Sequence, residues 1–246
     1  MHARGLQKPG EDRPGQAARL TPLSCFVRSP EGIYRVAPLL ALPWLEHGFG
    51  TRTFTAWNFD PQLVGLRQVH STRCVVADGA TDVLGEGDAL LTAVPGLLLS
   101  IRTADCVPLL LVDERRKVIA VAHSGWRGTA GQIAVAAVEA MREHFSSRPK
   151  DLHAAIGPSI GPCCYDVGPE VAAQFQSIFP ERADLSRRTH IDLAEANRRQ
   201  LLQAGIPSER IYVARICTSC NPAEFHSWRR DRGTAGRMLT VARIRP

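Results

Sequence analysis

The chain has 246 residues, of which 44% are hydrophobic, and this is enough to build the core of one large domain or two small ones. No apolar run approaches the roughly 20 residues of a membrane span, and residues 1–24 hold no apolar signal-peptide core, so we expect neither a membrane protein nor an exported one. Seven cysteines without the spacing of a disulfide framework favour free thiols in a reducing cytoplasm.

The net charge of +6 is concentrated in the C-terminal tail. Residues 215–246 carry seven arginines against Glu224 and Asp231, whereas residues 25–214 are close to neutral. Arginine binds phosphate through a planar, bidentate fork, so this excess indicates either an anion site or a solvated basic surface. Nucleic-acid binding is not expected, because apart from Trp228 no stacking aromatic is interleaved with these arginines.

The first part of the chain predicts short strands. Residues 1–24 combine glycine, proline and charge and predict a disordered extension. Prolines break residues 26–42 into short strands and turns, and residues 66–76 alternate as a strand with His70 near its centre. Further strands are predicted at residues 89–92 and 96–101.

A hairpin is predicted in the middle of the chain. Two apolar runs, residues 107–112 and 118–122, flank the charged residues 113–117. Cys106 precedes the first strand and His123 follows the second. Antiparallel pairing would therefore bring this thiol and this imidazole to the same end of the hairpin.

Helices enter the pattern in the second half. Helical periodicity covers residues 129–145, and residues 169–179 begin with a proline and an early acid. Asp192 and Glu195 resemble a capping box for a helix that stops at Gly205. Strands are predicted at residues 152–156, 210–216 and 238–244. Residues 25–246 are thus predicted to form one α/β (α+β) domain with mixed β-sheets packed against helices.

Three residues are candidates for chemistry: His70, Cys106 and His123. Two imidazoles and one thiolate match the ligand preferences of zinc, and three protein ligands leave a fourth position for water or substrate. No local metal motif supports this interpretation, so buried structural residues, or a nucleophilic cysteine with a histidine base, remain alternatives. Cys163, Cys164, Cys217 and Cys220 are interpreted as packed or pocket-lining thiols, although Cys217 and Cys220 form a CxxC pair.

Five motifs occur in the order of a known family: GDALLT, TADCVPLLLVD, VAHSGWRGTA, AIGPSIGPCCYDVGPEV and CTSCNPAEFHSWRRDRGTAGRM. From about Gly65 to the C-terminus the chain resembles the laccase-domain purine nucleoside phosphorylases, whose members also carry the names polyphenol oxidase and peptidoglycan editing factor. In that family zinc is held by the His of Gln-Val-His, the Cys of Ala-Asp-Cys and the His of His-x-Gly-Trp-Arg-Gly. The resemblance implies His70, Cys106 and His123 as zinc ligands and a fold similar to the catalytic domain of cytotoxic necrotising factors.

The resemblance also implies an activity. It points to zinc-dependent phosphorolysis of adenosine, inosine, guanosine and methylthioadenosine, with inorganic phosphate as co-substrate and adenosine deamination as a further activity. The arginines that match family motifs are candidates for phosphate binding. These are Arg52, Arg127, Arg229 and Arg230. Relatives usually have a longer insertion before Gln-Val-His, whereas only residues 53–67 stand there in this chain, which weakens the transfer of Arg52.

Three other functions compete with this one. In a cysteine hydrolase acting on peptidoglycan precursors, Cys106 would be the nucleophile and His123 the base. A copper-dependent polyphenol oxidase is disfavoured, because none of the eight histidines forms a His-x-His pair. A non-catalytic basic binding protein is the third. We expect a cytoplasmic monomer or weak homo-oligomer that acts on small molecules and binds neither nucleic acid nor membrane.

Overall fold

Residues 25–79 and 82–246 are described by the computed structural model, and the extension predicted for residues 1–24 lies outside them. The strands in these residues are β1 (Phe26–Arg28), β2 (Ile33–Val36), β3 (Leu45–Gly50), β4 (Leu63–Arg67), β5 (Cys74–Val76), β6 (Asp82–Glu86), β7 (Ala89–Thr92), β8 (Leu98–Thr103), β9 (Val107–Asp113), β10 (Val118–Ser124), β11 (Leu152–Ile156), β12 (Asp166–Val167), β13 (Thr189–His190), β14 (Ile211–Val213) and β15 (Met238–Ile244). The α-helices are α1 (Trp126–Ala130), α2 (Ile133–Phe145), α3 (Pro169–Ala172), α4 (Leu193–Gln203) and α5 (Trp228–Asp231).

Two large sheets organise these strands, and both are mixed, as predicted. One has seven strands in the order β1-β2-β3-β15-β8-β4-β6, and the other has six in the order β14-β11-β9-β10-β7-β5. Parallel pairs join β4 to β6 and β8 in the first sheet, and β5 to β7 and β11 to β14 in the second. A small ribbon pairs β12 with β13.

The six-stranded sheet is buried on both faces. Along β9, Leu109 and Leu111 belong to a cluster with residues of α2 and α4, whereas Leu110 and Val112 belong to a second cluster shared with the seven-stranded sheet. Burying each of these side chains stabilises the fold by about 1.5–3 kcal/mol. The continuous apolar runs of β9 and β10 therefore reflect a middle layer, covered by helices on one side and by the other sheet on the other.

The predicted hairpin is confirmed. Strands β9 and β10 pair antiparallel, with His123 opposite Pro108 and Ser124 opposite Val107. Cys106, one residue before β9, therefore lies at the same end of the hairpin as His123.

The strand predicted over residues 66–76 is wrong. Strand β4 ends at Arg67 and β5 begins at Cys74, and the connection places His70 in the left-handed region at φ 59°. The chain leaves the sheet because the backbone N–H groups of Val69, His70 and Ser71 donate to the carboxylate of Asp88 instead of to a neighbouring strand.

Two predicted helices are shorter than expected. The helix over residues 129–145 is divided into α1 and α2, because Gln132 adopts φ 67° between them. The helix over residues 169–179 becomes α3 followed by a 3₁₀ turn at Ala173–Phe175. Helix α4 begins as predicted, with Asp192 accepting a 2.9 Å hydrogen bond from Glu195 N.

None of the helices in the described residues combines the length and the apolar character needed to span a bilayer. The likeness to cytotoxic necrotising factors stays a prediction.

Candidate metal and anion site

Three separate segments bring His70, Cys106 and His123 together. His123 is in β10, Cys106 follows a loop in which Asp105 has φ 84°, and His70 lies in the turn between β4 and β5. One nitrogen or sulfur atom from each residue lies within 4.8 Å of those of the other two, and the two imidazole rings meet edge to face with centroids 4.8 Å apart. We call these three residues the triad.

Asp88 orients the triad. Its Oδ1 accepts hydrogen bonds from His123 Nδ1 at 2.8 Å and His70 N at 3.1 Å. Its Oδ2 accepts from Ser71 N and Ser71 Oγ at 2.6 and 2.7 Å, and from Val69 N at 3.3 Å. A carboxylate only accepts hydrogen bonds, so His123 carries its proton on Nδ1. Its Nε2 is then the nitrogen available to a metal.

Asp88 and His123 favour each other's charged form, whereas His70 and His123 oppose each other. Burial opposes ionisation of Asp88, but hydrogen bonds from His123 and Ser71 outweigh it and lower its pKa to about 2. Burial likewise disfavours the charged form of His123, yet Asp88 and Cys106 together raise its pKa to about 9. For His70, burial and the neighbouring His123 lower the pKa.

The lack of a side chain at Gly125 leaves room for His70 and Cys106 to approach each other. A Cβ at this position would lie 2.8 Å from His70 Nδ1 and 3.0 Å from Cys106 Sγ. A side chain there would push two of the three candidate ligands away, so the backbone itself forms one wall of the site. The motif His123-Ser124-Gly125-Trp126 therefore contributes both a ligand and the room that its partners need.

The donor set fits a transition metal. Two imidazole nitrogens and one thiolate suit zinc, and bond lengths of about 2.0–2.3 Å place ligand atoms about 3–4 Å apart, within the range observed here. His123 is buried at 4% exposure, Cys106 is half-buried and His70 is exposed. The site therefore opens to solvent on the side of His70, where a fourth ligand or a substrate can enter.

A cavity of about 900 Å³ lies over the triad. Its lining combines three aromatic side chains with a group of cationic ones. The aromatic residues are Trp126, Tyr165 and Trp228. The cationic residues are Arg102, Arg127, Arg229, Arg232 and Arg237. Volumes of this order are typical of small-molecule sites.

The cavity arginines have uncompensated charge. No carboxylate in the described part of the chain forms an ion pair with any of the five, whereas Arg230 pairs with Asp231. Arg127 stacks over Trp126 at 4.3 Å, and Arg229 lies 5.1 Å from the centroid of Tyr165 and donates to the carbonyl of Asp166 at 2.6 Å. These contacts hold cationic groups in place without neutralising them, as an anion site requires.

Asp105 lines the cavity and links the loop before β9 to the C-terminal segment that carries Arg229. Its carboxylate accepts from Thr218 Oγ1 at 2.7 Å, from Ser227 Oγ at 3.0 Å and from the backbone N–H of Arg229 at 2.6 Å. The residue next to Cys106 thereby fixes the segment that carries Arg229.

The four arginines predicted to bind phosphate are divided by the structure. Arg127 and Arg229 line the cavity, and Arg52 and Arg230 do not. Arg52 donates to the carbonyl of Pro222 at 2.7 Å, and Arg230 donates to the carbonyls of Thr218, Ser219 and Phe225. Phosphate binding by Arg52 and Arg230 stays a prediction that their positions do not favour.

Sequence reasoning missed several residues of the site. Asp88 and Asp105 stand inside the motifs GDALLT and TADC, where each acid precedes a buried strand. A charged residue at the edge of a core strand needs partners, and this signal would have identified both. Arg102, Arg232 and Arg237 carry no comparable signal, because nothing in their local sequence distinguishes them from surface arginines.

A comparison with family models matches residues 50–245 to the family described as multi-copper polyphenol oxidoreductase laccase. The purine nucleoside phosphorylase YlmD of Geobacillus stearothermophilus is 47% identical over 170 residues, which are 66% of this chain and 61% of that protein. The adenosine deaminase RL5, from an unknown prokaryotic organism, is 39% identical over 193 residues, which are 72% of this chain and 73% of that protein.

Solved structures agree with these matches. The crystal structure of YlmD from Geobacillus stearothermophilus superposes with a TM-score of 0.81 at 32% identity, covering 91% of this chain and 100% of that one. The sequence alignment itself spans less than two thirds of the length of the Geobacillus phosphorylase.

Proposed function

The chain belongs to the multi-copper polyphenol oxidoreductase laccase family, and from this membership we propose that it is a zinc-dependent purine nucleoside phosphorylase. The observation that carries the proposal is the convergence of the triad with five uncompensated arginines in one cavity. Such a site offers a Lewis acid and a phosphate-binding surface side by side, which phosphorolysis of a nucleoside needs. The names of two related proteins, a phosphorylase and a deaminase, support the same substrate class.

In the proposed reaction an oxygen of inorganic phosphate attacks C1′ of the nucleoside. The bond from C1′ to the purine nitrogen breaks, its electron pair leaves with the purine, and the proton that phosphate gives up ends on the purine. Arg127 and Arg229 hold the phosphate, and because they are already oriented by Trp126 and Tyr165, little side-chain freedom is lost on binding. The aromatic walls receive the purine and sugar, and packing of the substrate against them excludes water.

His70, Cys106 and His123 hold the zinc in this proposal. When bound there, zinc supplies a Lewis acid that stabilises negative charge developing on the substrate. Asp88 keeps the proton of His123 on Nδ1 and so keeps Nε2 free as a ligand. Cys106 serves as a ligand and not as a nucleophile, because a metal-bound thiolate attacks substrates poorly.

Adenosine, inosine, guanosine and methylthioadenosine are the proposed substrates. The cavity of about 900 Å³ lies in the range of pockets that enclose such molecules. Adenosine deamination is the second candidate, favoured by the likeness to the deaminase RL5. It requires water in place of phosphate as the attacking group.

Oxidation of polyphenols, which the family description names, is not favoured by these residues. The His₂Cys donor set also suits copper. Reduction of dioxygen by a multicopper enzyme nevertheless needs several histidine-bound coppers. The only other metal-capable group among residues 25–79 and 82–246 consists of four cysteines.

The test combines metal analysis with turnover. The protein, purified without chelator, is analysed for zinc and copper and incubated with inosine or adenosine, with and without phosphate, and the products are separated by chromatography. We expect zinc, together with release of free purine and ribose 1-phosphate that depends on phosphate. Phosphate-independent conversion of adenosine to inosine would indicate the deaminase.

Variants separate the zinc mechanism from a cysteine hydrolase. His70→Ala and Cys106→Ser should each lose zinc at the triad and phosphorolysis, whereas His144→Ala, on an exposed face of α2, should lose neither. Full zinc and full turnover in His70→Ala would refute the assignment. Metal-free protein whose amidase activity on peptidoglycan precursors is abolished by alkylation of Cys106 would support the hydrolase instead.

A further inference from the structure

Four cysteines outside the cavity meet on one side of the domain. Cys163 and Cys164 lie in the loop after β11, and Cys217 and Cys220 lie in the loop after β14. Their four sulfur atoms all lie within 4.8 Å of one another. The interpretation as packed or pocket-lining thiols is therefore only partly right. Cys164 and Cys217 pack against the core, but Cys163 and Cys220 are exposed, and none of the four lines the cavity.

The spacing of these sulfurs matches a tetrahedral metal site. Cys220 Sγ lies 3.4 Å from Cys164 Sγ and 3.6 Å from Cys163 Sγ. Four thiolates bound to zinc at about 2.3 Å would form a tetrahedron with edges of about 3.8 Å. A disulfide needs only two cysteines, and Cys220 cannot pair with Cys163 and Cys164 at once. A shared ion would use all four sulfurs at once.

The surroundings suit an anionic thiolate cluster. The backbone N–H of Gly161 donates to Cys217 Sγ at 3.2 Å, a contact that stabilises a thiolate. Arg230 donates to the carbonyls of Thr218 and Ser219, the two residues between Cys217 and Cys220. Its guanidinium, which also pairs with Asp231, thus lies beside a centre that would carry a net charge of about −2 with four thiolates and one divalent ion.

We propose that Cys163, Cys164, Cys217 and Cys220 form a second, structural zinc site. Four protein ligands leave no open position, so this centre binds the metal without presenting it to substrate. Zinc is the expected ion, because four soft thiolates in tetrahedral array select it. The exposed sulfurs of Cys163 and Cys220 give the ion a path from solvent.

This zinc site would stabilise the catalytic cavity. It joins the loop that leads to Tyr165 with the loop that carries Thr218, and a parallel bridge between Ser159 and Cys217 already aligns the two. Thr218 in turn donates to Asp105, the neighbour of Cys106. Loss of the ion should therefore loosen the cavity wall without removing any residue that contacts substrate.

The test compares metal content among four forms of the full chain. These are the wild type, the double variant Cys217→Ser/Cys220→Ser, the double variant His70→Ala/His123→Ala, and Cys25→Ser as a control whose thiol is exposed and belongs to neither cluster. We expect Cys217→Ser/Cys220→Ser to lose about one equivalent of zinc relative to Cys25→Ser. His70→Ala/His123→Ala should retain that equivalent, and after cobalt exchange it should show the intense charge-transfer absorption of a thiolate-rich centre.

Zinc content in Cys217→Ser/Cys220→Ser equal to that of Cys25→Ser would overturn the proposal, as would a disulfide between Cys220 and Cys163 or Cys164 in protein purified without oxidant. If the cysteine variant does not fold, a mercurial reagent is titrated into His70→Ala/His123→Ala, where zinc release must accompany modification of the four thiols. Absence of zinc release would also overturn the proposed four-cysteine site.

If instead the triad holds no zinc, wild type and His70→Ala/His123→Ala will have equal zinc content. That outcome refutes the proposed function and leaves the four-cysteine site standing.

Discussion

Replacing Asp88 with asparagine should weaken metal binding at the triad through the tautomer of one histidine. Asp88 Oδ1 faces two donors, His70 N and His123 Nδ1, whereas Oδ2 faces three, two from Ser71 and one from Val69. The asparagine –NH₂ group will take the place with fewer opposing donors, which is Oδ1. It would then donate to Nδ1 of His123, and the histidine proton would move to Nε2, the nitrogen that the metal requires.

The expected magnitude follows from these contacts. The hydrogen bond from His70 N to a charged acceptor is lost, which costs about 1.5–3 kcal/mol, and the bond to His123 becomes a neutral one, so the free energy of unfolding should fall by about 2–3 kcal/mol. Changes in the partner of a metal-bound histidine typically reduce metal affinity or activity about 10–100-fold. We expect the zinc affinity of the triad to fall by a factor in that range.

The assays are zinc competition against a chromophoric chelator and urea denaturation of the metal-free protein. Asp113→Asn is the matched control, because Asp113 is a buried carboxylate at the end of the β9–β10 hairpin far from His123 and accepts from Arg115 N and Arg116 N at 3.0 Å each. It should lower stability but leave zinc affinity unchanged. Wild-type zinc affinity in Asp88→Asn, or an equal loss in both variants, would show that orientation of His123 by Asp88 is not what the metal depends on.

Three other changes test separate parts of the molecule. Gly125→Ala adds a methyl group within 3.0 Å of two triad side chains and should lower zinc affinity about tenfold or more, whereas Gly233→Ala, which meets nothing within 4 Å, should not. Arg127→Ala should raise the KM for phosphate about tenfold in steady-state assays with little change in the KM for nucleoside, and Arg142→Ala on the exposed face of α2 should change neither. Burial lowers the pKa of His47 from 6.5 to about 4, so the unfolded chain binds a proton that the folded chain does not. The contribution of His47 to stability, complete above about pH 6.5, should therefore fall by up to about 3 kcal/mol toward pH 4 in urea titrations, and His47→Gln should remove this part of the pH dependence.

The hairpin was predictable because its information is local. Continuous apolar runs on both sides of residues 113–117 specify two strands buried on both faces, and antiparallel pairing then places Cys106 beside His123. Helix α4 was predictable for the same reason, since Asp192 caps it within its own first turn. His70 was selected as a candidate and lies beside Cys106 and His123, but the sequence placed it in a strand. Its backbone N–H instead donates to the side chain of Asp88, 18 residues away, which local patterns do not reveal.

The sequence by itself determined the class of fold and the hairpin, and it selected as candidates the three residues that the structure brings together in the triad. It did so through hydrophobic periodicity and motifs, which report on neighbours along the chain. Only the tertiary structure decided which arginines face the cavity, because Arg229 and Arg230 are adjacent in sequence yet only Arg229 lines it. The four cysteines likewise met only through folding, since 53 residues separate Cys164 from Cys217 and the pairing of β11 with β14 is what brings their loops together.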